Sequence, residues 1–261
     1  IIPNEGIIYS GGEKSKKLRK EINEEVKKQG LWAPHLPSEY GGMDNGFLEL
    51  AYMNEILAWS PLGNRLFGVI APNSGNQKIL VKYGTDEQKK KWLIPLINQE
   101  MESGFSMTEP DSAGSDPRSL KTTAVKEGDE WVINGHKIMT SNGNRADFLV
   151  VMCKTEADGD DGGANSKMTQ IIVPTDAPGL TKVRSVPIWG HTGGDHMEIK
   201  YENVRVPLEN ALGARGSGHQ AAQDRLGAGR VYHCMNTIGQ MWRAFDICLL
   251  YTSPSPRDLS E

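Results

Sequence analysis

The sequence has little cysteine and little excess of either charge. Its three cysteines are widely spaced and form no Cys-x-x-Cys pair, which argues against a disulfide framework and a zinc site and favours a reducing compartment. The net charge is −4, and no dense stripe of Lys and Arg suggests a nucleic-acid partner. Asp195 and His196 are adjacent, but no third ligand stands at helical or hairpin spacing, so we expect no metal.

Long apolar runs are also missing. No segment approaches the ~20 apolar residues that span a bilayer, and the first dozen residues lack the basic and apolar regions of a secretory signal. We therefore expect a soluble protein without a membrane partner, located in a bacterial cytoplasm or an organelle matrix.

The periodicity of apolar residues changes twice along the chain. Leu18, Ile22 and Val26 recur every fourth residue, as in an amphipathic helix. Further helices are predicted at residues 47–59, 61–83 and after Thr85, where Thr85 and Gln88 form a capping box. The fold class expected is α+β multidomain, with four parts: an N-terminal all-helical domain at 1–103, a middle β-barrel or sandwich domain at 104–214, the first helix of a C-terminal helical bundle at 215–250, and a Ser/Pro tail at 251–261.

Short strands are predicted in the middle part. Residues 122–125 and 131–133 flank a turn at 126–129, and Asn134-Gly135 is a strong signal for a second tight turn. Further strands are expected at 148–152, 170–173 and 197–201. Residues 158–165 are polar and rich in glycine, which predicts a mobile loop.

The last predicted helix carries a long apolar stripe from Val231 to Leu249. It is too apolar for a lone surface helix and should pack against helices that the chain does not supply. Two interpretations of the tail remain open. It is either foreign or frayed sequence, or a natural disordered segment.

Residues 104–116 concentrate the polar chemistry. The hydroxyls of Thr108 and Ser115 lie among exposed amides, which can hold carbonyl and phosphate oxygens without a lysine. Gly114 allows a ligand to approach the backbone closely. Such a segment at a domain junction is a candidate binding site, although loops of this composition are common.

This segment resembles a known family signature. Thr108-Glu109-Pro110 followed by Gly114-Ser115-Asp116 is similar to the flavin-binding motif of the acyl-CoA dehydrogenase family. The resemblance covers roughly residues 30–245. Four further matches follow in the order of that family: Pro37 to Gly42, Tyr83 to Pro95, Asn134 to Lys137 with Ser141 to Gly143, and Asn203 to Pro207.

The resemblance implies FAD as cofactor and a homodimer or homotetramer as the full-length assembly. Met139 stands where most relatives have Trp, so either flavin contact or simple strand packing explains it. The residues implied in cofactor binding are Phe105, Met107, Thr108, Gly114, Ser115, Met139, Thr140 and Ser141.

The implied reaction is α,β-dehydrogenation of an acyl-CoA in fatty acid β-oxidation, with hydride transfer to flavin N5 and an electron-transfer flavoprotein or similar acceptor. Ser115 and Arg230 are implied in substrate binding. The catalytic base is unknown. Most relatives supply it from the C-terminal domain, whereas a minority place a carboxylate directly before the arginine that Arg230 matches, where this chain has Gly229.

Residues 225–235 resemble one branch of the family, in which some members act on 4-hydroxyacyl or branched substrates. Arg225 and Arg230 have a simpler interpretation, in which they pair with acidic neighbours. His233 is expected to be a packed, hydrogen-bonded histidine and not a catalytic one.

Three alternatives to a dehydrogenase remain open. The same fold carries flavin oxidases or monooxygenases, and it carries flavoproteins that associate with DNA. The chain alone is alternatively an inactive fragment, which we expect to bind FAD poorly and to show no turnover.

Overall fold

The computed structural model describes residues 2–155, 168–189 and 195–252. These residues form two compact units. One contains residues up to Ile70 and those from Gly227 onward, and the other contains Ala71–Leu226. The α-helices, all within the described ranges, are α1 (Glu5–Tyr9), α2 (Gly12–Lys28), α3 (Phe47–Leu57), α4 (Gly63–Leu66), α5 (Asn73–Tyr83), α6 (Asp86–Gln88), α7 (Ile94–Ile97) and α8 (Gly218–Thr252). A π-helical segment, Lys89–Leu93, links α6 to α7.

The first unit is built on the predicted apolar stripe of α2. Leu18 and Ile22 pack against buried Ile8, Leu62 and Leu66, so this amphipathic helix is confirmed. Gly30 has a φ of 70° just beyond the end of α2, a backbone conformation that glycine adopts at little cost.

One predicted helix is in fact two. The pattern at residues 61–83 suggested a single helix, but α4 ends at Leu66 and α5 begins at Asn73. Pro72 lies between them, and because proline has no amide hydrogen it cannot continue a helical ladder. The prediction of one continuous helix was therefore wrong.

The capping box at α6 is confirmed. The Gln88 amide donates to Thr85 Oγ1 at 3.2 Å, and the Thr85 amide donates to Gln88 Oε1 at 3.0 Å. Gln88 Nε2 also donates to the carbonyls of Glu209 (2.7 Å) and Ala211 (2.9 Å). One buried side chain thus starts a helix and fixes the end of the β region.

The second unit contains a single eight-stranded sheet within the described residues, with strand order β6-β7-β3-β1-β4-β5-β8 and with β2 paired to β3 and β4. The strands are β1 (Ser103–Ser106), β2 (Thr123–Glu127), β3 (Glu130–Ser141), β4 (Phe148–Lys154), β5 (Met168–Pro174), β6 (Leu180–Ser185), β7 (His196–Pro207) and β8 (Ala211–Leu212).

The sheet has a predominantly aliphatic core. Strands β4 and β5 are buried along nearly their whole length, as expected for strands covered on both faces. The two long strands β3 and β7 pair antiparallel from Glu130–Pro207 to Ser141–His196. Strands β3 and β4 are bridged twice, by β1 and by β2.

Asn134-Gly135 does not form a turn, so that prediction was wrong. Both residues lie inside β3, at a shift of register against β7. A Cβ on Gly135 would lie 2.2 Å from Thr122 Oγ1, so the glycine is explained by close packing. The neighbouring turn at Gly128 joins β2 to β3 as predicted.

The compact units group the elements differently from the predicted domains. Helices α5 to α7 belong to the unit that contains the sheet, which begins at Ala71. The predicted domain boundary at residue 103 stays a prediction. The predicted loop at 158–165 and all of the tail beyond Thr252 lie outside the described residues.

Helix α8 exposes much of its predicted apolar stripe. Met241, Trp242 and Phe245 are each at least half exposed, which agrees with a helix face that lacks its packing partner. None of the described helices is long and apolar enough to cross a membrane.

Replacing Thr85 and Gln88 tests the capping box. We expect Thr85→Ala to lower the free energy of unfolding by about 1 kcal/mol through loss of a cap. Gln88→Ala should cost about 2–3 kcal/mol, because it also removes the two hydrogen bonds to the carbonyls of Glu209 and Ala211. Urea denaturation of both variants, with exposed Lys90→Ala as control, measures this. Equal losses for Thr85→Ala and Gln88→Ala would contradict the second role of Gln88.

Candidate cofactor and substrate site

Strand β1 brings the two predicted cofactor segments together. Phe105 aligns with Ser141 of β3 on one side and with Val150 of β4 on the other. Thr108, which follows β1 in the chain, contacts β3 at Ile138. The Ile138 amide donates to the Thr108 carbonyl at 2.9 Å, and Thr108 Oγ1 donates to the Ile138 carbonyl at 2.7 Å. The two segments that contain the predicted cofactor-binding residues therefore lie side by side.

A β-bulge in β3 turns Met139 outward. The register against β7 shifts between Lys137 and Thr140, and Met139 has a φ of 58°. Its side chain is 40% exposed. An extra residue in a strand re-aims the side chains around it, and here the result is an apolar side chain on the open surface of the sheet.

Thr140 and Ser141 differ in what they offer a ligand. Thr140 is fully buried, backbone included, with its hydroxyl 3.0 Å from Ser106 Oγ, so it presents no exposed atom to a cofactor. Ser141 is half-buried, and its Oγ lies 2.9 Å from His196 Nδ1. The Ser141 hydroxyl therefore has a fixed partner at the edge of the bulge.

A buried ion pair lies beneath this surface, and our sequence reasoning missed it. Lys137 Nζ donates to Glu109 Oε1 at 2.9 Å and to the Met107 carbonyl at 2.8 Å. The remaining donors to the carboxylate are the Thr122 amide (2.9 Å), Thr122 Oγ1 (2.6 Å) and the Lys121 amide (2.6 Å), with Ser112 Oγ at 3.3 Å. The glutamate of the Thr-Glu-Pro motif and the lysine of the Asn-Gly-His-Lys motif are thus partners.

The charges of this pair hold each other in place. Burial by itself raises the pKa of Glu109, but the Lys137 charge and the hydrogen bonds from Thr122 and Lys137 outweigh it and lower that pKa to about 2. Burial pulls the pKa of Lys137 below its usual range, and the carboxylate opposes that pull. With the two groups 2.9 Å apart, we take the pair as ionised at neutral pH.

The loop between β1 and β2 presents open hydrogen-bond donors. Within the described residues, the amides of Gly114 and Ser115 and the Ser115 hydroxyl make no hydrogen bond, and all are exposed. A Cβ on Gly114 would meet only the Thr108 methyl group, at an ordinary 3.6 Å. The packing of the chain therefore does not require glycine here, whereas a closely approaching ligand would.

The predicted residues of α8 do not all behave as expected. Arg230 is exposed and forms no ion pair with the described residues. His233 was expected to be packed and hydrogen-bonded, but it is exposed and makes an edge contact with the Tyr232 ring at 5.2 Å. That prediction was wrong, because position 233 lies on an outward face of the helix.

The Glu109–Lys137 pair predicts acid sensitivity with a defined sign. The pKa of Glu109 falls from 4.5 to about 2 on folding, so its contribution is full above its ordinary pKa and is lost as pH falls from about 5 to 2. We expect Glu109→Gln to destabilise the protein by about 3 kcal/mol at pH 7, with a smaller difference from the parent at pH 3. Urea titrations at several pH values measure this.

The control is Glu127→Gln, which removes an exposed carboxylate that pairs with Arg205. Such surface pairs contribute 0–1 kcal/mol, so little change is expected. A loss for Glu109→Gln that stays constant from pH 7 to 3 would contradict the assigned ionisation.

Comparisons with known proteins agree with the motifs and the fold. The model for the acyl-CoA dehydrogenase N-terminal domain matches residues 9–100, and the model for the middle domain of the same family matches residues 104–204. The chain is 42% identical over 86% of its length to the probable acyl-CoA dehydrogenase FadE2 of Mycobacterium tuberculosis, of which it covers 54%. It therefore spans about half the length of that relative.

Solved structures give the same result. A candidate acyl-CoA dehydrogenase from Mycobacterium abscessus is 34% identical with a TM-score of 0.81, over 87% of this chain and 56% of that one. Butyryl-CoA dehydrogenase from Megasphaera elsdenii is 28% identical with a TM-score of 0.73, over 90% of this chain and 61% of that one. The chain therefore belongs to the acyl-CoA dehydrogenase family and comprises its N-terminal and middle domains.

Proposed function

We propose that the chain is the flavin-binding part of an FAD-dependent acyl-CoA dehydrogenase. The observation that carries this proposal is the loop of residues 107–116, which is anchored on β3 beside the outward-turned Met139 and has unpaired donors at Gly114 and Ser115. Family membership adds the chemistry, because an electron sink for hydride must come from a cofactor.

The described residues fit such a cofactor. The Gly114 and Ser115 amides and the Ser115 hydroxyl are suited to pyrophosphate oxygens, because successive free backbone N–H groups bind anions. Met139 offers a polarizable apolar surface to a flat ring. The other residues that we assign to FAD binding are Phe105, Met107, Thr108 and Ser141. Thr140 is not assigned, because it is fully buried.

When bound, FAD accepts a hydride from the β carbon of the acyl group at its N5 atom. The protein must bind the thioester, keep water away and supply a base for the α proton. We assign acyl-CoA contacts to Ser115 and Arg230, and we place Ser141, held by His196, near flavin N5. We also propose an electron-transfer flavoprotein or similar acceptor and a homodimer or homotetramer for the whole protein.

We assign no base to the described residues. The position before Arg230 is Gly229, and glycine cannot abstract a proton. The chain covers about half of its relative FadE2, so we propose that the base is supplied from outside these 261 residues.

Titration with FAD tests the proposed site. At saturating FAD, hydrogen exchange should slow at the amides of residues 113–115 and 138–141. Ser115→Ala should weaken FAD binding about 10-fold, because one hydrogen bond to a charged oxygen contributes about 1.5 kcal/mol. Thr181→Ala, an exposed hydroxyl on β6, serves as the matched control. Slower exchange confined to other segments, or equal affinity of the two variants, would refute the site.

Turnover by the chain alone is a separate test. We expect the FAD-loaded chain to reduce no redox dye above the protein-free rate when supplied with butyryl-CoA, because the base is missing. Rapid dehydrogenation by the 261-residue chain would overturn our placement of the base, although it would support the flavin assignment.

A further inference from the structure

Arg225 is a half-buried cation on the first turns of α8, in the same compact unit as the sheet. Its guanidinium carbon lies 4.0 Å from the centroid of the Phe105 ring, and its Nε donates to Asn76 Oδ1 at 3.1 Å. A cation stacked on an aromatic face and held by an amide oxygen is fixed in orientation.

This arginine has no carboxylate partner among the described residues. The nearest candidate in sequence, Asp224, accepts hydrogen bonds from Lys82, Tyr83 and Gln220. The interpretation in which Arg225 pairs with an acidic neighbour is therefore wrong. Burial lowers the pKa of Arg225 to about 10, so the group keeps its charge at neutral pH, and a partly desolvated charge without a counterion is unfavourable.

The chain makes room for this side chain. A Cβ on Gly75 of α5 would lie 2.8 Å from Arg225 Nε and 3.0 Å from the guanidinium carbon. Any larger residue at position 75 would displace the guanidinium. The unpaired guanidinium group thus packs against Phe105 on one side and Gly75 on the other. This packing favours a role in binding a ligand over a guanidinium group that is simply solvated.

The orientation of Arg225 leaves one edge of its guanidinium group available to a ligand. Stacking covers a face of the guanidinium, and Asn76 occupies the Nε hydrogen, while within the described residues the Nη hydrogens have no acceptor. Paired Nη hydrogens in one plane match the two oxygens of a carboxylate or phosphoryl group. Uncharged hydrocarbon would leave the cation uncompensated.

We propose that Arg225 binds an oxyanion of a small-molecule ligand. That oxyanion is either a carboxylate or a phosphoryl group. The neighbouring Phe105 belongs to the segment that we assign to FAD, so the link to an acyl-CoA ligand rests on the proposed function. The oxyanion belongs either to the acyl group itself or to the phosphates of CoA or FAD.

Chemical modification of the unaltered chain tests this proposal. Phenylglyoxal reacts with accessible guanidinium groups, and peptide mass spectrometry reports the rate at each arginine. Saturating inorganic phosphate should slow modification of Arg225 at least 5-fold and leave that of exposed Arg205 unchanged. Succinate should act in the same way, whereas glycerol should not. Equal protection of Arg225 and Arg205, or none at Arg225, would overturn the proposal.

The same modification experiment with other ligands identifies the source of the oxyanion. Protection by succinyl-CoA well beyond that by CoA and butyryl-CoA places the oxyanion on the acyl group. Equal protection by CoA, or by FAD alone, places it on a cofactor phosphate. Both outcomes support an oxyanion site. Because phosphate and succinate need no flavin, protection by them without any FAD binding would leave Arg225 as an oxyanion site and refute the flavin proposal alone.

Variants provide an independent measurement. Arg225→Gln should lose phosphate binding in calorimetry at least 10-fold, and Arg225→Lys should retain part of it, because charge remains while the planar fork is lost. Arg205→Gln is the matched control, since it removes a surface guanidinium that pairs with Glu127 and Glu130. Unchanged binding by a folded Arg225→Gln would contradict the proposal, and the modification experiment stands if that variant does not fold.

Discussion

The buried ion pair between Glu109 and Lys137 is the constraint on which the site depends. Its carboxylate accepts hydrogen bonds from the Lys121 and Thr122 amides, and its ammonium donates to the Met107 carbonyl. Both ends of the loop between β1 and β2 are therefore attached to one point on β3. Since a buried charge that loses its partner is strongly destabilising, the loop is held in one position and its outer residues are presented to solvent.

The same pair helps to explain the outward position of Met139. In a regular strand, residues 137 and 140 would face opposite sides of the sheet. Here Lys137 points inward to Glu109 and Thr140 points inward to Ser106. An extra residue between them is needed to satisfy both contacts, and the left-handed backbone at Met139 supplies it. The polar interior and the apolar outer surface therefore arise from one irregularity.

Much of this architecture follows from local sequence pattern. The amphipathic helix α2, the capping box at Thr85 and parts of β2, β3, β4, β5 and β7 were predictable because their signals lie within a few residues. Strands β1, β6 and β8 were not predicted. The grouping of α5 with the sheet in one compact unit was not predictable, because it depends on contacts between residues far apart in sequence, such as that of Asn76 with Ser103. The turn predicted at Asn134-Gly135 was also wrong. The glycine is required there because the backbone packs tightly against Thr122.

The two charged features of the site were beyond local reasoning for a different reason. Charged residues are expected on the surface unless a partner is known, and Glu109 and Lys137 are 28 residues apart. The family motifs contained both residues without indicating that they touch. One interpretation of Arg225 from the sequence was that it pairs with an acidic neighbour. In the structure its neighbour Asp224 accepts hydrogen bonds from Lys82 and Tyr83 instead, so Arg225 has no carboxylate partner among the described residues.

If the Glu109–Lys137 pair holds the loop on the sheet, removing the ammonium group should free the loop. Hydrogen–deuterium exchange of Lys137→Met under native conditions measures this, with Arg205→Gln as the reference for loss of a surface charge. We expect exchange at least 10-fold faster at the amides of Lys121, Thr122 and Ile138, while protection in β5 is retained. Unchanged protection at those three amides in a folded Lys137→Met variant would contradict it.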